Sequence, residues 1–63
     1  DDVAITRAVI ALGHSMGLKV LAEGIEQPEQ AALLRQLGCD HAQGYYFGPA
    51  APVPLRYYER GSV

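Results

Sequence analysis

The stretch Leu18–Glu26, LKVLAEGIE, decides how the rest of the chain is read. Leu18, Val20, Leu21 and Ala22, interrupted only by Lys19, run into a carboxylate, Glu23, and then a glycine. A buried parallel strand looks like this where it surfaces at its C-terminal edge. Open α/β sheets and (β/α) barrels build their sites at that edge. Glu23 is therefore a candidate functional residue, set against the plainer reading that it starts a solvated loop.

The flanks support the strand. Upstream, Ile5, Val9, Leu12 and Met16 recur at i, i+4, i+7 and i+11, one stripe of an amphipathic helix over 3–16. Asp1 or Asp2 suits its N-terminus, and Gly17 stands where a left-handed residue would end it. His14, near that end, reads as an ordinary surface histidine. Downstream, Pro28 suits the first position of a second helix, with Ala31, Leu34 and Leu37, helped by Leu33, as its buried stripe and Gly38 as its stop. Cys39 to Gln43 then reads as a short second strand, interrupted by Asp40 and His41. The lone Cys39 is most simply a small core residue.

The chain thus echoes itself: helix, Gly17, strand, Ala22-Glu23-Gly24, then helix, Gly38, strand, Ala42-Gln43-Gly44. Strands joined by a helix are expected to be parallel, with a right-handed crossover. Glu23 and Gln43 would emerge side by side, roughly 5 to 10 Å apart. A carboxylate beside an amide suits holding a metal-coordinated water or a phosphate ester. Beyond them, Gly44–Gly48 is aromatic and flexible. Pro49, Pro52 and Pro54 stiffen an extended path, and 55–60 predicts one or two helical turns.

Composition narrows the classes. The chain has 63 residues, 49% apolar and 19% charged, a net charge of -2 and one cysteine. Five scattered Lys and Arg form no polybasic patch, which argues against nucleic acid and anionic membrane as partners. A single cysteine allows no internal disulfide, in keeping with a cytoplasmic setting. Closing a (β/α) barrel takes about 250 residues, so these elements read as part of a larger domain.

Three motifs in order carry a resemblance: Ala22-Glu23-Gly24-Ile25-Glu26, then Leu37-Gly38-Cys39-Asp40, then Gln43-Gly44-Tyr45. From Asp2 to about Pro49 the chain resembles the C-terminal part of an EAL domain, the bacterial phosphodiesterase that linearises cyclic di-GMP. The resemblance implies a fragment of a modified (β/α)8 TIM-type barrel over 1–63, helix-strand-helix-strand with a short tail. It implies a site for two divalent cations, Mg2+ or Mn2+, most of whose ligands lie outside this chain. Glu23 matches a catalytic glutamate, as metal-site ligand or base on the attacking water. Gln43 matches a glutamine that orients both, and Glu26 a supporting residue that braces the loop. The implied partners are cyclic di-GMP, the rest of the barrel and, as an option, a second copy.

There are departures. Gln27 stands where the family usually has threonine, removing a good N-cap worth about 1 kcal/mol. The basic residue usual before the proline after Gly48 is missing, and the Glu-Ala-Leu signature lies in a part of the barrel this chain does not contain. Two readings follow: a piece of a phosphodiesterase, inactive alone, or a piece of a degenerate domain that binds the nucleotide or a protein partner without cleavage.

Overall fold

A computed structural model describes residues 2–58, without the side chains of 49–51. The order is α1 (Asp2–Ser15), β1 (Leu21–Ala22), α2 (Pro28–Gln36), β2 (His41–Gly44), a 3-10 helix (Tyr45–Phe47) and β3 (Gly48–Pro54). Asp1, expected with Asp2 at the start of the first helix, lies outside the described residues. Asp2 itself is in the first turn.

Both helices stop as their glycines predict, and in the same way. At the end of α1, Gly17 has φ 76°. Its N–H donates to the His14 carbonyl at 3.0 Å, and that of Leu18 to Gly13 at 3.0 Å. At the end of α2, Gly38 has φ 90°. Its N–H donates to Arg35 at 3.1 Å, and that of Cys39 to Leu34 at 3.0 Å. These are two Schellman stops, with a strand beginning a few residues beyond each glycine.

The sheet has three strands in the order β1-β2-β3. β1 and β2 are adjacent and parallel, Leu21 opposite His41 and Ala22 opposite Ala42, as the echo predicts. β1 is shorter than the apolar run, because 18–20 lack ladder pairing. Val20 instead pairs with Asp40: its N–H donates to Asp40 Oδ2 at 2.7 Å. Its carbonyl accepts from the N–H groups of Asp40 and His41 at 3.2 and 3.1 Å.

β3 is a correction. The proline-stiffened tail is a strand, antiparallel to β2, with Val53 opposite Ala42 and Gly48 opposite Gly44. Three prolines in seven residues argue against a central strand, but an edge strand tolerates them because its outward N–H groups need no partner. The helical turns expected over 55–60 are absent among the described residues. The chain makes a turn at 55–57 that buries Leu55 and Tyr58, while 59 and 60 lie outside the described residues.

The core is Ile10, Ile25, Ala31, Cys39, Ala42, Leu55 and Tyr58, flanked by Leu34, Leu37, Tyr46 and Phe47. Ala31 is buried as expected, but Leu33 is exposed. The larger correction concerns α1. Ile5, Val9, Leu12 and Met16 are 56 to 63% exposed. The face that packs is Thr6, Ile10 and Gly13, the same spacing shifted by one residue. Gly13 sits so close to β1 that a Cβ there would lie 2.8 Å from Val20 Cγ2. Leu18 and Leu21 are also exposed, so the apolar run of the first strand is not buried within this chain.

Candidate functional site

The parallel register ends with Ala22 opposite Ala42, so Glu23, just past β1, and Gln43, the next residue within β2, follow at the same C-terminal edge. Glu23 is exposed and Gln43 half-buried. Their backbones are thus close in register, and no hydrogen bond joins the two side chains among the described residues.

What holds Glu23 there is the rest of its loop. Gly24 has φ 79°, a conformation that costs a residue with a Cβ about 1 kcal/mol or more. The turn drops Ile25 into the core, where it is 4% exposed, while Glu23 stays in solvent. The Ile25 N–H donates to the Gln43 carbonyl at 3.1 Å, and the Tyr46 N–H donates to the Ile25 carbonyl at 3.0 Å. The loop is thus bonded through both the N–H and the carbonyl of Ile25, to Gln43 in β2 and to Tyr46 in the 3-10 helix beyond it. Gly44 makes room for it: a Cβ there would fall 2.3 Å from both the nitrogen and the oxygen of Ile25.

Glu26 and Gln27 lead into α2. Both backbone N–H groups donate to Gln30 Oε1, at 2.8 and 3.0 Å. Gln30 thereby offsets the cap expected to be lost at Gln27. The Glu26 N–H takes part in this brace, while its carboxylate, exposed, makes no hydrogen bond among the described residues. Behind the site, Tyr46, Phe47 and Tyr58 pack edge to face, and the Tyr46 and Tyr58 hydroxyls lie 3.0 Å apart. Tyr45 is 91% exposed.

Sequence reasoning missed Ile25, Gln30 and Gly44 as positioning residues. For two of them a signal was present. Ile25 is a large apolar residue inside an otherwise polar loop, and Gln30 stands three residues after the cap position, as in a capping box.

The donors at this edge are hard oxygens, the kind Mg2+ and Mn2+ prefer. Among the described residues no group of three or more His, Cys, Asp or Glu converges.

The opposite edge of the strands is organised by Asp40, which the sequence presented only as an interruption. Its Oδ2 accepts from Val20 N–H at 2.7 Å and lies 2.7 Å from His14 Nε2. The Val20 N–H foremost, then His14, hold its carboxyl below the usual carboxylate range. Cys39 beside it is buried, and burial pushes its thiol pKa up, as suits an inert core residue. Among the described residues no helix is long and apolar enough to cross a membrane.

Comparison with known proteins agrees with this geometry. The family model for the EAL domain matches residues 1–50. The signaling protein YkoW of Bacillus subtilis is 46% identical over 56 residues, covering 89% of this chain and 7% of that protein. The cyclic di-GMP phosphodiesterase NbdA of Pseudomonas aeruginosa is 45% identical over 58 residues, 92% of this chain and 7% of its own length. The bifunctional diguanylate cyclase/cyclic di-GMP phosphodiesterase MucR of the same organism is 44% identical over 53 residues, 84% of this chain and 8% of its own. The chain spans less than a tenth of the length of these relatives. No solved structure matches it significantly. With its parallel strands, its clamped Glu23 loop and this match over most of its length, the chain belongs to the EAL domain family.

Proposed function

We propose that residues 1–63 form the C-terminal part of a cyclic di-GMP phosphodiesterase domain that hydrolyses 3',5'-cyclic di-GMP to linear pGpG in the bacterial cytoplasm. The observation that supports this reading is the parallel register of β1 and β2 leading to Glu23 and Gln43, with the Glu23 loop bonded to Gln43 through the Ile25 N–H. Glu23 accepts a hydrogen bond from the attacking water and takes its proton as the new P–O bond forms, while the P–O3' bond opposite breaks and its 3'-oxygen leaves with a proton from solvent. Gln43, half-buried, orients the Glu23 carboxylate and the water with an amide that both donates and accepts. Glu26 braces the loop through its backbone N–H on Gln30. Two divalent cations, Mg2+ or Mn2+, supply the Lewis acidity that makes a phosphodiester and a water reactive near neutral pH. Glu23 would be this chain's ligand to them.

Two features support a role as part of a larger barrel. The outer edge of β1 has no strand beside it among the described residues. Next to it, an apolar groove of about 220 Å³, lined by Ile5, Val9, Ile10, Leu21 and Leu34 among others, stands open. Parallel strands are normally flanked and covered on both faces, so neighbouring barrel elements fit here and the isolated chain should be inactive. Product formation by the complete domain, with and without Glu23→Gln, tests the proposal. Tight nucleotide binding with no product in the unmutated domain would select the degenerate binding module instead.

A further inference from the structure

The N-terminal edge of the parallel strands, away from Glu23 and Gln43, holds a second concave site. Lys19 precedes β1, Asp40 stands just before β2 and His41 begins it, Arg35 lies in the last turn of α2, and Arg56 and Tyr57 follow β3. Together they line a cleft of about 580 Å³, within the range of small-molecule sites. Three of the chain's five Lys and Arg gather here, although its net charge is -2. The one carboxylate in the lining, Asp40, is already engaged by the Val20 N–H and His14. Counting it fully against the three cations still leaves the cleft a formal charge of about +2 with His41 neutral, which matches the near-dianion of a phosphomonoester.

The cations are also tied to the fold. Arg35 Nη2 donates to the Arg56 carbonyl at 3.3 Å, linking α2 to the turn after β3. The Arg56 guanidinium lies over the Tyr57 ring, 5.7 Å from its centroid. Guanidinium groups are planar forks suited to phosphate oxygens in pairs, and Lys19 adds a point charge. The cleft is larger than a bare phosphate needs, and Tyr57, 77% exposed, offers an aromatic surface to the remainder of a ligand.

We propose that this cleft binds a small organic phosphomonoester at the face of the domain opposite its phosphodiesterase edge. It lies at the opposite end of the parallel strands from Glu23, apart from the proposed hydrolytic site. Phenyl phosphate and inorganic phosphate, titrated into the complete domain by calorimetry, are the probes. Phenyl phosphate should bind saturably and more tightly than inorganic phosphate. Arg35→Gln with Arg56→Gln should weaken it more than about tenfold, the loss expected for charge-assisted hydrogen bonds. Lys19→Gln, which removes a side chain exposed in this chain, should weaken it about threefold or more through the lost charge. Arg7→Gln, a cation on α1 outside the cleft, should leave binding unchanged. The proposal fails if phenyl phosphate shows no saturable binding, if it binds no better than phosphate, or if Arg7→Gln costs as much as Lys19→Gln.

Discussion

Gly44 and Ile25 approach so closely that a Cβ on Gly44 would lie 2.3 Å from the Ile25 nitrogen and oxygen. The loop that presents Glu23 therefore rests directly on the backbone at the end of β2, and the glycine at 44 is what permits the contact.

Gly44→Ala should accordingly destabilise the complete domain by at least about 3 kcal/mol, the upper end of overpacking costs, because the atoms it meets are backbone and cannot swing away. Gly48→Ala is the comparison. With φ 85° and ψ -176° it lies in a region essentially reserved for glycine, but nothing stands within 4 Å of its added Cβ, so it should cost about 1 to 3 kcal/mol of backbone strain alone. Denaturant unfolding of both variants measures the difference. Equal costs would show that the Ile25 contact yields easily.

Glu23→Gln keeps size and removes the charge. If Glu23 takes the proton of the attacking water, cyclic di-GMP turnover by the complete domain should fall at least ~10²-fold, while nucleotide affinity changes far less. Gln43→Ala should cost less than that, since the amide only orients. Glu26→Gln should alter stability by no more than about 0.5 kcal/mol, because its carboxylate makes no hydrogen bond among the described residues and the brace uses its N–H. Linear product and nucleotide affinity, measured for all three, separate the roles. Near-normal turnover in Glu23→Gln would end the case for this residue as a base.

Asp40 ties acid stability to the far edge of the sheet. Its folded pKa is lowered, so the stabilisation is present above the unfolded value of about 3.9 and is lost as pH falls through the folded value. Asp40→Ala should cost about 1 to 3 kcal/mol at neutral pH, by leaving the Val20 N–H without its partner, and should flatten the acid limb of the stability profile. His14→Ala should cost less, since the bond to Val20 survives it. A thermal melt series from pH 7 to below the carboxylate range reads both. An Asp40→Ala domain that loses stability in acid as steeply as its parent would refute the assignment.

The isolated chain should self-associate. Ile5, Val9, Leu12 and Met16 are all more than half exposed on one side of α1, beside the open edge of β1. Sedimentation of the 63-residue chain should show oligomers that Leu12→Lys reduces. A monomer with a sharp cooperative melt would mean that the fragment is self-sufficient.

Local signals in the sequence determined where each helix stops, that a strand follows each stop, and that Glu23 and Gln43 occupy matching places at the C-terminal edge of their strands. Caps, left-handed glycines and apolar periodicity act within about one helical turn, so neighbours in sequence are enough to read them. Tertiary structure alone decided which of two equally spaced stripes of α1 packs, because Ile5-Val9-Leu12 and Thr6-Ile10-Gly13 differ only in which meets a partner. It also decided that a proline-rich tail pairs as β3, that Asp40 anchors Val20, and that Gly44 must give way to Ile25. These contacts join residues far apart in the chain, and their energy depends on distances of a few tenths of an ångström that no local pattern encodes.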